Sequence, residues 1–260
     1  MSNDEFNSCL IFAHRGANKE AAENTRGAFD KALEYAIDGI ETDVQLSRDG
    51  IPVLWHDPFL DKLDYAGKRI DDFDLEQLEQ IDFSGYFNSD SIPPEGALSL
   101  KEFIGTYQGR CKLNIEIKNR DWESQQRQEH KVLQTLDIVG ALAGKGVFIS
   151  SFNLPSLIFA HQYAPDFPLF HILTDDHTKA DVEQLLKEHD FLSGYCLPIG
   201  ALNSSICKLL RKHDKKIGAY TCNSIAEIRK ALKLKVDIIM TDCPQLALQM
   251  RNRWIGVLTN

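Results

Sequence analysis

The feature that most constrains this chain is a repeat of pattern. Short β-branched or aromatic runs alternate with longer stretches of helical period from one end to the other. The extended runs are Cys9–Ala13, Ile40–Leu46, Lys112–Lys118, Val147–Ser151, Leu169–Thr174, Phe191–Leu197, Lys216–Cys222 and Asp237–Thr241. Between them lie helical patterns such as Thr25–Tyr35, Gln125–Leu142, Lys179–Glu188, Asn203–Lys212, Ser224–Leu232 and Gln245–Met250. Strands that alternate with helices return over the sheet face, which makes the sheet parallel. Eight such units in 260 residues predict an α/β chain, a (β/α)₈ TIM barrel over residues 1–260 as one domain, for which about 250 residues is usual. The alternative is an open doubly wound sheet. Its dinucleotide-binding form is excluded, because no G-x-G-x-x-G follows the first run.

One stretch breaks the alternation. Ser47-Arg48-Asp49-Gly50 reads as a turn, and Pro52–His56 as a second extended run, so a hairpin follows strand two. Residues 57–98 are then long and polar, with one short helical pattern at Leu75–Ile81, and are expected as an insertion at the barrel rim. Asp71–Glu79 reads as a solvated helix opened by Asp.

Two strand segments carry the chemistry. Alternate side chains of a strand share a face, so Glu41 and Asp43 point one way and Ile40 and Thr42 the other. The same period groups Asn114, Glu116 and Lys118. Carboxylates on one face repel unless a cation lies between them, and three of them suit a hard divalent ion. The competing reading is a set of salt bridges across the barrel interior. If Asp49-Gly50 is a two-residue loop, Arg48 pairs with Ile51, Ser47 with Pro52 and Asp43 with His56, which places His56 beside Asp43. His14-Arg15-Gly16 ends strand one, at the barrel end where catalytic residues gather. His14 is a candidate acid or base, Arg15 offers a fork for phosphate, and Gly16 permits a close turn.

The segments HRGANKEAAENT, GIETDVQLSRDGIPVLWHD, LNIEIK and DIIMTDCP resemble the ordered motifs of the glycerophosphodiester phosphodiesterase family, from Ala13 to Pro244. The resemblance implies hydrolysis of glycerophosphodiesters to sn-glycerol 3-phosphate and an alcohol. It implies one divalent metal, Mg²⁺ or Ca²⁺, held by Glu41, Asp43 and Glu116. His14 and His56 would exchange protons with nucleophile and leaving group. Arg15 and Lys118 would hold phosphate, with Glu23 and Asn24 supporting them. Ser150 and Phe152 match a Ser-Phe pair near the substrate. Two positions depart from the family pattern: Ala22 replaces the usual Pro, and Tyr220 the usual Trp beside the substrate's alcohol group.

The net charge of −9 argues against nucleic acid or an anionic membrane as the main partner; the partner that the resemblance implies is a small phosphodiester. Met1–Ser8 is polar and acidic, no apolar run approaches a membrane span of about 20 residues, and the six cysteines form no C-x-x-C pair, so a cytoplasmic location is expected. Cys9, Cys111, Cys196 and Cys222 lie in or beside strand runs and read as small buried hydrophobes. His130, His161, His189 and His213 fall on or near helices and read as solvated or capping groups, while His171 lies on strand five. Trp55 is expected to pack outward under a helix, and Trp122 to stand in a rim loop. Two other functions fit the same pattern. One is lysophospholipase D-type cleavage, with Phe59, Leu60, Leu63, Tyr65, Phe83, Tyr86 and Phe87 as an apolar groove. The other is a non-catalytic binding protein.

Overall fold

A computed structural model describes residues 9–87 and 93–258; Met1–Ser8, residues 88–92 of the expected insertion, and 259–260 lie outside the described residues. The strands are β1 (Leu10–His14), β2 (Gly39–Leu46), β3 (Pro52–Leu54), β4 (Lys112–Ile117), β5 (Val147–Ser151), β6 (Leu169–Ile172), β7 (Gly194–Pro198), β8 (Lys216–Tyr220) and β9 (Ile238–Thr241). The helices are α1 (Arg26–Leu33), α2 (Leu75–Leu78), α3 (Leu100–Tyr107), α4 (Gln125–Val139), α5 (Leu154–Tyr163), α6 (Lys179–Glu188), α7 (Ser204–Lys212), α8 (Ile225–Leu234) and α9 (Pro244–Leu258). Hydrogen-bonded neighbours run β1-β9-β8-β7-β6-β5-β4-β2, and β2 pairs back onto β1. All eight of these strands are parallel, so the sheet closes into a (β/α)₈ barrel.

Local chemistry starts the helices. Thr25, Ser99, Ser124, Asn153, Thr178, Asn203 and Ser224 each accept a backbone N–H of the first turn, which satisfies donors the helix itself leaves unpaired. The outer face of the strands packs against the helices through residues such as Ile40, Val44, Ile115, Ile149 and Ile239. The barrel interior is a separate layer of Phe12, Phe148, Phe170, Ile172, Cys196, Ile238 and Met240. Two of its phenylalanines, Phe12 and Phe170, fit because glycines face them. A Cβ on Gly39 would stand 2.4 Å from the Phe12 ring, and one on Gly194 2.4 Å from Phe170.

The hairpin register differs from the sequence expectation by one residue. Leu46 pairs with Pro52, Gln45 with Val53 and Val44 with Leu54. The loop is the three residues Arg48-Asp49-Gly50. The Ser47 N–H donates to Ile51 O at 3.0 Å, and Gly50 takes φ +80°. A left-handed third residue is what a three-residue hairpin loop requires. Asp43 therefore faces the Trp55 position, whose N–H donates to Asp43 O at 3.1 Å.

β2 serves two partners along one edge. β1 pairs with Gly39–Glu41 and β3 with Val44–Leu46. β1 runs parallel to β2 and β3 antiparallel, so the two meet end to end. That brings the chain after β1, at His14, towards the chain after β3, at His56.

The rim segment forms a small core of its own. Val53, Trp55, Leu60, Leu63, Ile70, Leu78, Ile81, Phe83 and Ala97 pack together, with Trp55 edge-on to Phe83 at 5.1 Å between centroids. Trp55 thus packs beneath the insertion, whose α2 supplies Leu78, and not beneath one of the barrel's outer helices, because the register shift turns it to the face that the insertion covers. Among the described residues, no helix is long and apolar enough to cross a membrane.

Candidate active site

The C-terminal strand ends surround a cavity of about 160 Å³, lined by His14, Arg15, Glu41, His56, Asn114, Glu116, Lys118, Phe152 and Tyr220 among others. Glu41 and Asp43 come from β2, and Glu116 from the facing position of β4, where Asp43 pairs with Glu116 in register. One oxygen from each of these three carboxylates lies within 4.8 Å of the others. All three side chains are buried.

The electrostatics of this cluster are unequal. Burial, then the charges of Asp43 and Glu116, push the Glu41 carboxyl well above the ordinary carboxylate range. Burial also works to raise Asp43. Lys118, Arg15, His56 and a hydrogen bond from Asn24 outweigh it and hold Asp43 far below that range. The Lys118 ammonium lies 3.0 Å from Asp43 and 2.5 Å from Glu116. Arg15 Nε lies 3.1 Å from Asp43, and its Nη1 donates to Glu23 at 3.0 Å. Burial disfavours the charges of Arg15 and Lys118, yet the surrounding carboxylates raise both pKa values, so both stay protonated. Glu41 Oε1 is buried with no hydrogen-bond partner. A buried acceptor left unpaired beside two other carboxylates fits a divalent cation with oxygen ligands.

Two histidines flank the cluster, each oriented by an aspartate. His14 Nδ1 is 2.7 Å from Asp242 Oδ1, and its Nε2 is 3.9 Å from Glu41. Asp242 also accepts from the side-chain amides of Asn18 (2.8 Å) and Asn223 (2.7 Å). Burial raises its carboxyl, but the hydrogen bond and charge of His14 and the Asn18 bond prevail and hold it well down. His56 Nδ1 is 2.7 Å from Asp57 Oδ1, and this bond, more than any other contact, holds the Asp57 carboxyl down. Arg120 donates to the His56 carbonyl. The register argument that placed His56 opposite Asp43 falls, yet the imidazole still lies close enough to act on the Asp43 carboxylate.

The approach of the first loop rests on Gly16. Its φ is +83°, and a Cβ there would stand 2.6 Å from the Ala28 backbone. The Arg15 N–H donates to Glu41 Oε2 at 3.1 Å, so the loop also fixes a cluster carboxylate.

A barrel with this arrangement at its C-terminal mouth has known relatives. The family model described as glycerophosphoryl diester phosphodiesterase matches residues 14–246. The chain belongs to the glycerophosphoryl diester phosphodiesterase family. It is 30% identical over 257 residues to a glycerophosphodiester phosphodiesterase of Bacillus altitudinis, covering 93% of this chain and 97% of that one. It is 27% identical over 254 residues to the Bacillus subtilis enzyme of the same name, covering 91% and 84%. Its fold matches an Oleispira antarctica phosphodiesterase solved with the product sn-glycerol-3-phosphate, at TM-score 0.81 and 24% identity, covering 94% and 96%.

Set against the family's motifs, the remaining expected residues divide. Glu23 and Asn24 sit behind the cavity: Glu23 on Arg15, and Asn24 donating to Asp43 at 2.9 Å while accepting from Thr42 at 2.8 Å. Ser150 is fully buried and donates to Asn114 at 2.9 Å; Asn114, and not Ser150, lines the cavity. Ser150 thus stands next to a residue of the cavity wall. Phe152 lies at the rim, 43% exposed and edge-on to Tyr220 at 6.2 Å. Tyr220 lines the cavity, and its hydroxyl is taken up in donating to Leu173 O at 2.5 Å. Trp122 stacks on Phe59 at 6.1 Å in the rim, outside the cavity lining. His171 is buried on β6 and only approaches the Phe152 carbonyl, at 3.4 Å; burial lowers its pKa to about 4. Cys196 and Cys222 are fully buried, as the sequence reading expects, while Cys9 and Cys111 are only half-buried.

The sequence reading passed over Asp242 and Asp57. Asp242 stands directly after β9 within DIIMTDCP, the same position that His14 occupies at the end of β1, and that placement was the available signal.

Proposed function

We propose that this chain hydrolyses glycerophosphodiesters to sn-glycerol 3-phosphate and an alcohol, using one divalent metal, Mg²⁺ or Ca²⁺, at Glu41, Asp43 and Glu116. The observation that carries the reading is the convergence, at one cavity, of three buried carboxylates, two aspartate-oriented histidines and two cations. The relatives' names support the reaction class, and the product named for the Oleispira phosphodiesterase supports the glycerol phosphate half.

The bound metal would act as a Lewis acid on the phosphoryl oxygens. The chain's own residues do the rest. Arg15 and Lys118 are fixed cations facing the anionic diester, and they stabilise charge that grows on the non-bridging oxygens. His14 presents Nε2 to the cavity while Asp242 fixes Nδ1, which sets the tautomer. His56 is set in the same way by Asp57. One histidine takes the proton from the attacking oxygen and the other returns one to the departing alkoxide. Phe152 and Tyr220 wall the side where the alcohol group would lie. The six free cysteines suit a reducing compartment such as the cytoplasm.

For the lysophospholipid alternative, Leu60, Leu63 and Phe83 are used up in the insertion's own core and Tyr86 accepts the Glu23 N–H at 3.1 Å, so an acyl groove would fall to the exposed rim aromatics Phe59, Tyr65, Trp122 and Phe152. The test is release of glycerol 3-phosphate from glycerophosphocholine by chelator-stripped protein, with and without Mg²⁺ or Ca²⁺. Metal-restored release supports the reading; no release with either ion rejects it.

A further inference from the structure

A second set of ligand atoms lies beside the first. Glu23, His56 and Asp57 each offer one atom, all within 4.8 Å of one another. Two carboxylates and an imidazole are a donor set that suits Zn²⁺ or Mn²⁺. An ammonium already bridges the two carboxylates. Lys62 Nζ, supplied by the rim insertion, is 2.6 Å from Glu23 Oε1 and 3.0 Å from Asp57 Oδ2. It also lies over two aromatic rings, 4.3 Å from the Trp55 centroid and 4.8 Å from that of Tyr86. Ring faces attract a cation at such distances, which steadies the ammonium further.

The other oxygen of each carboxylate turns towards the reaction. Asp57 Oδ1 holds His56 Nδ1 at 2.7 Å, and Glu23 Oε2 holds Arg15 Nη1 at 3.0 Å. Arg15 in turn touches Asp43 at 3.1 Å. One ammonium therefore anchors the partner of the histidine and the partner of the arginine together. Without it, the Glu23 and Asp57 carboxylates would face each other with only Arg15 and His56 left as their respective partners.

We propose that Glu23 and Asp57 form a second cation site beside His56 whose resident ion is the Lys62 ammonium, which positions His56 and Arg15 at once. The inference rests on the one-metal reading above for what His56 and Arg15 do, but the site itself stands apart from Glu41, Asp43 and Glu116. A tethered ammonium differs from a metal in one useful respect: chelators cannot remove it. Lys62 is a positioning residue, since it acts through Asp57 and Glu23.

The experiment is equilibrium dialysis of the full chain against Mn²⁺, comparing wild type with Lys62→Ala, Lys62→Met and Lys62→Arg, alongside kcat and KM. Methionine keeps a stem between Trp55 and Tyr86, so it guards against a variant that merely unfolds. We expect Lys62→Ala and Lys62→Met to bind one Mn²⁺ more than wild type, and Lys62→Arg to match wild type. We expect kcat to fall about 10- to 100-fold in Lys62→Met, as for lost outer-shell partners elsewhere, with Lys62→Arg restoring most of it. Unchanged Mn²⁺ stoichiometry in both Lys62→Ala and Lys62→Met overturns the proposal. Wild type that binds no Mn²⁺ defeats the one-metal reading instead, and a gain of one ion on removal of Lys62 still supports the second site.

Discussion

The imidazole of His14 is held by Asp242, Nδ1 to Oδ1 at 2.7 Å, across 228 residues of chain. The pairing is possible because β9 lies beside β1 in the barrel, with Ala13 opposite Thr241. Asp242→Asn should leave the fold intact but present an amide where the imidazole needs an acceptor. General acid–base catalysis contributes about 10²–10⁴-fold, so kcat should fall by about 10²-fold or more. Steady-state kinetics on glycerophosphocholine, with a melting curve as control, checks this; wild-type kcat would remove Asp242 from its orienting role.

The raised Glu41 carboxyl makes a prediction about metal and stability. A divalent ion that binds only the folded chain stabilises it by about 2.7 kcal/mol at 100 times its dissociation constant. Thermal melting of stripped protein should therefore shift upward on adding Mg²⁺ or Ca²⁺. Glu41→Gln should abolish both that shift and the metal-restored activity. A shift that survives the substitution would place the ion elsewhere.

Tyr220 should matter as a wall and not as a hydroxyl. Tyr220→Phe removes only the bond to Leu173 O, worth about 1 kcal/mol, and should leave kcat/KM and alcohol preference nearly unchanged. Phe152→Ala, by contrast, opens the rim beside that ring and should raise KM. Parallel assays on glycerophosphocholine and glycerophosphoethanolamine separate the two effects.

Lys131 gives a pH signature away from the reaction. It is fully buried on α4, 2.7 Å from Glu123, and it also donates to the Lys118 carbonyl. Burial outweighs the Glu123 charge and lowers its pKa from 10.5 to about 8. Between those values the unfolded chain holds a proton that the folded chain has released, so the unfolding free energy rises with pH. Relative to Lys131→Met, wild type should gain stability from pH 8 to 10.5, by about 3 kcal/mol at most. Urea unfolding at the two pH values measures it; a flat difference would mean the ammonium stays charged in the folded state.

Much of the barrel was legible because its signals are local. Each expected strand run overlaps an observed strand, and the motif residues fall at strand ends where a barrel places them. Two helices escaped notice for physical reasons. α5 reads LPSLIFAHQY, with apolar residues around most of its circumference and little stripe to detect. α3 is a short helix signalled chiefly by its Ser99–Glu102 capping box, directly after the polar insertion. The hairpin register hinged on one glycine's φ, which the Asp49-Gly50 pair alone does not decide. Lys62 left no trace in the sequence, since its partners Glu23 and Asp57 meet only through the tertiary fold.

Because β1 and β3 share one edge of β2 and approach from opposite directions, the hairpin loop works as a spacer between the two imidazoles. His14 is fixed by its pairing opposite Glu41, while the placement of His56 is counted back from the turn. Each residue along β2 is a step of about 3.3 Å. The three-residue loop Arg48-Asp49-Gly50 thus sets how far along β2 the His56 imidazole lies from that of His14.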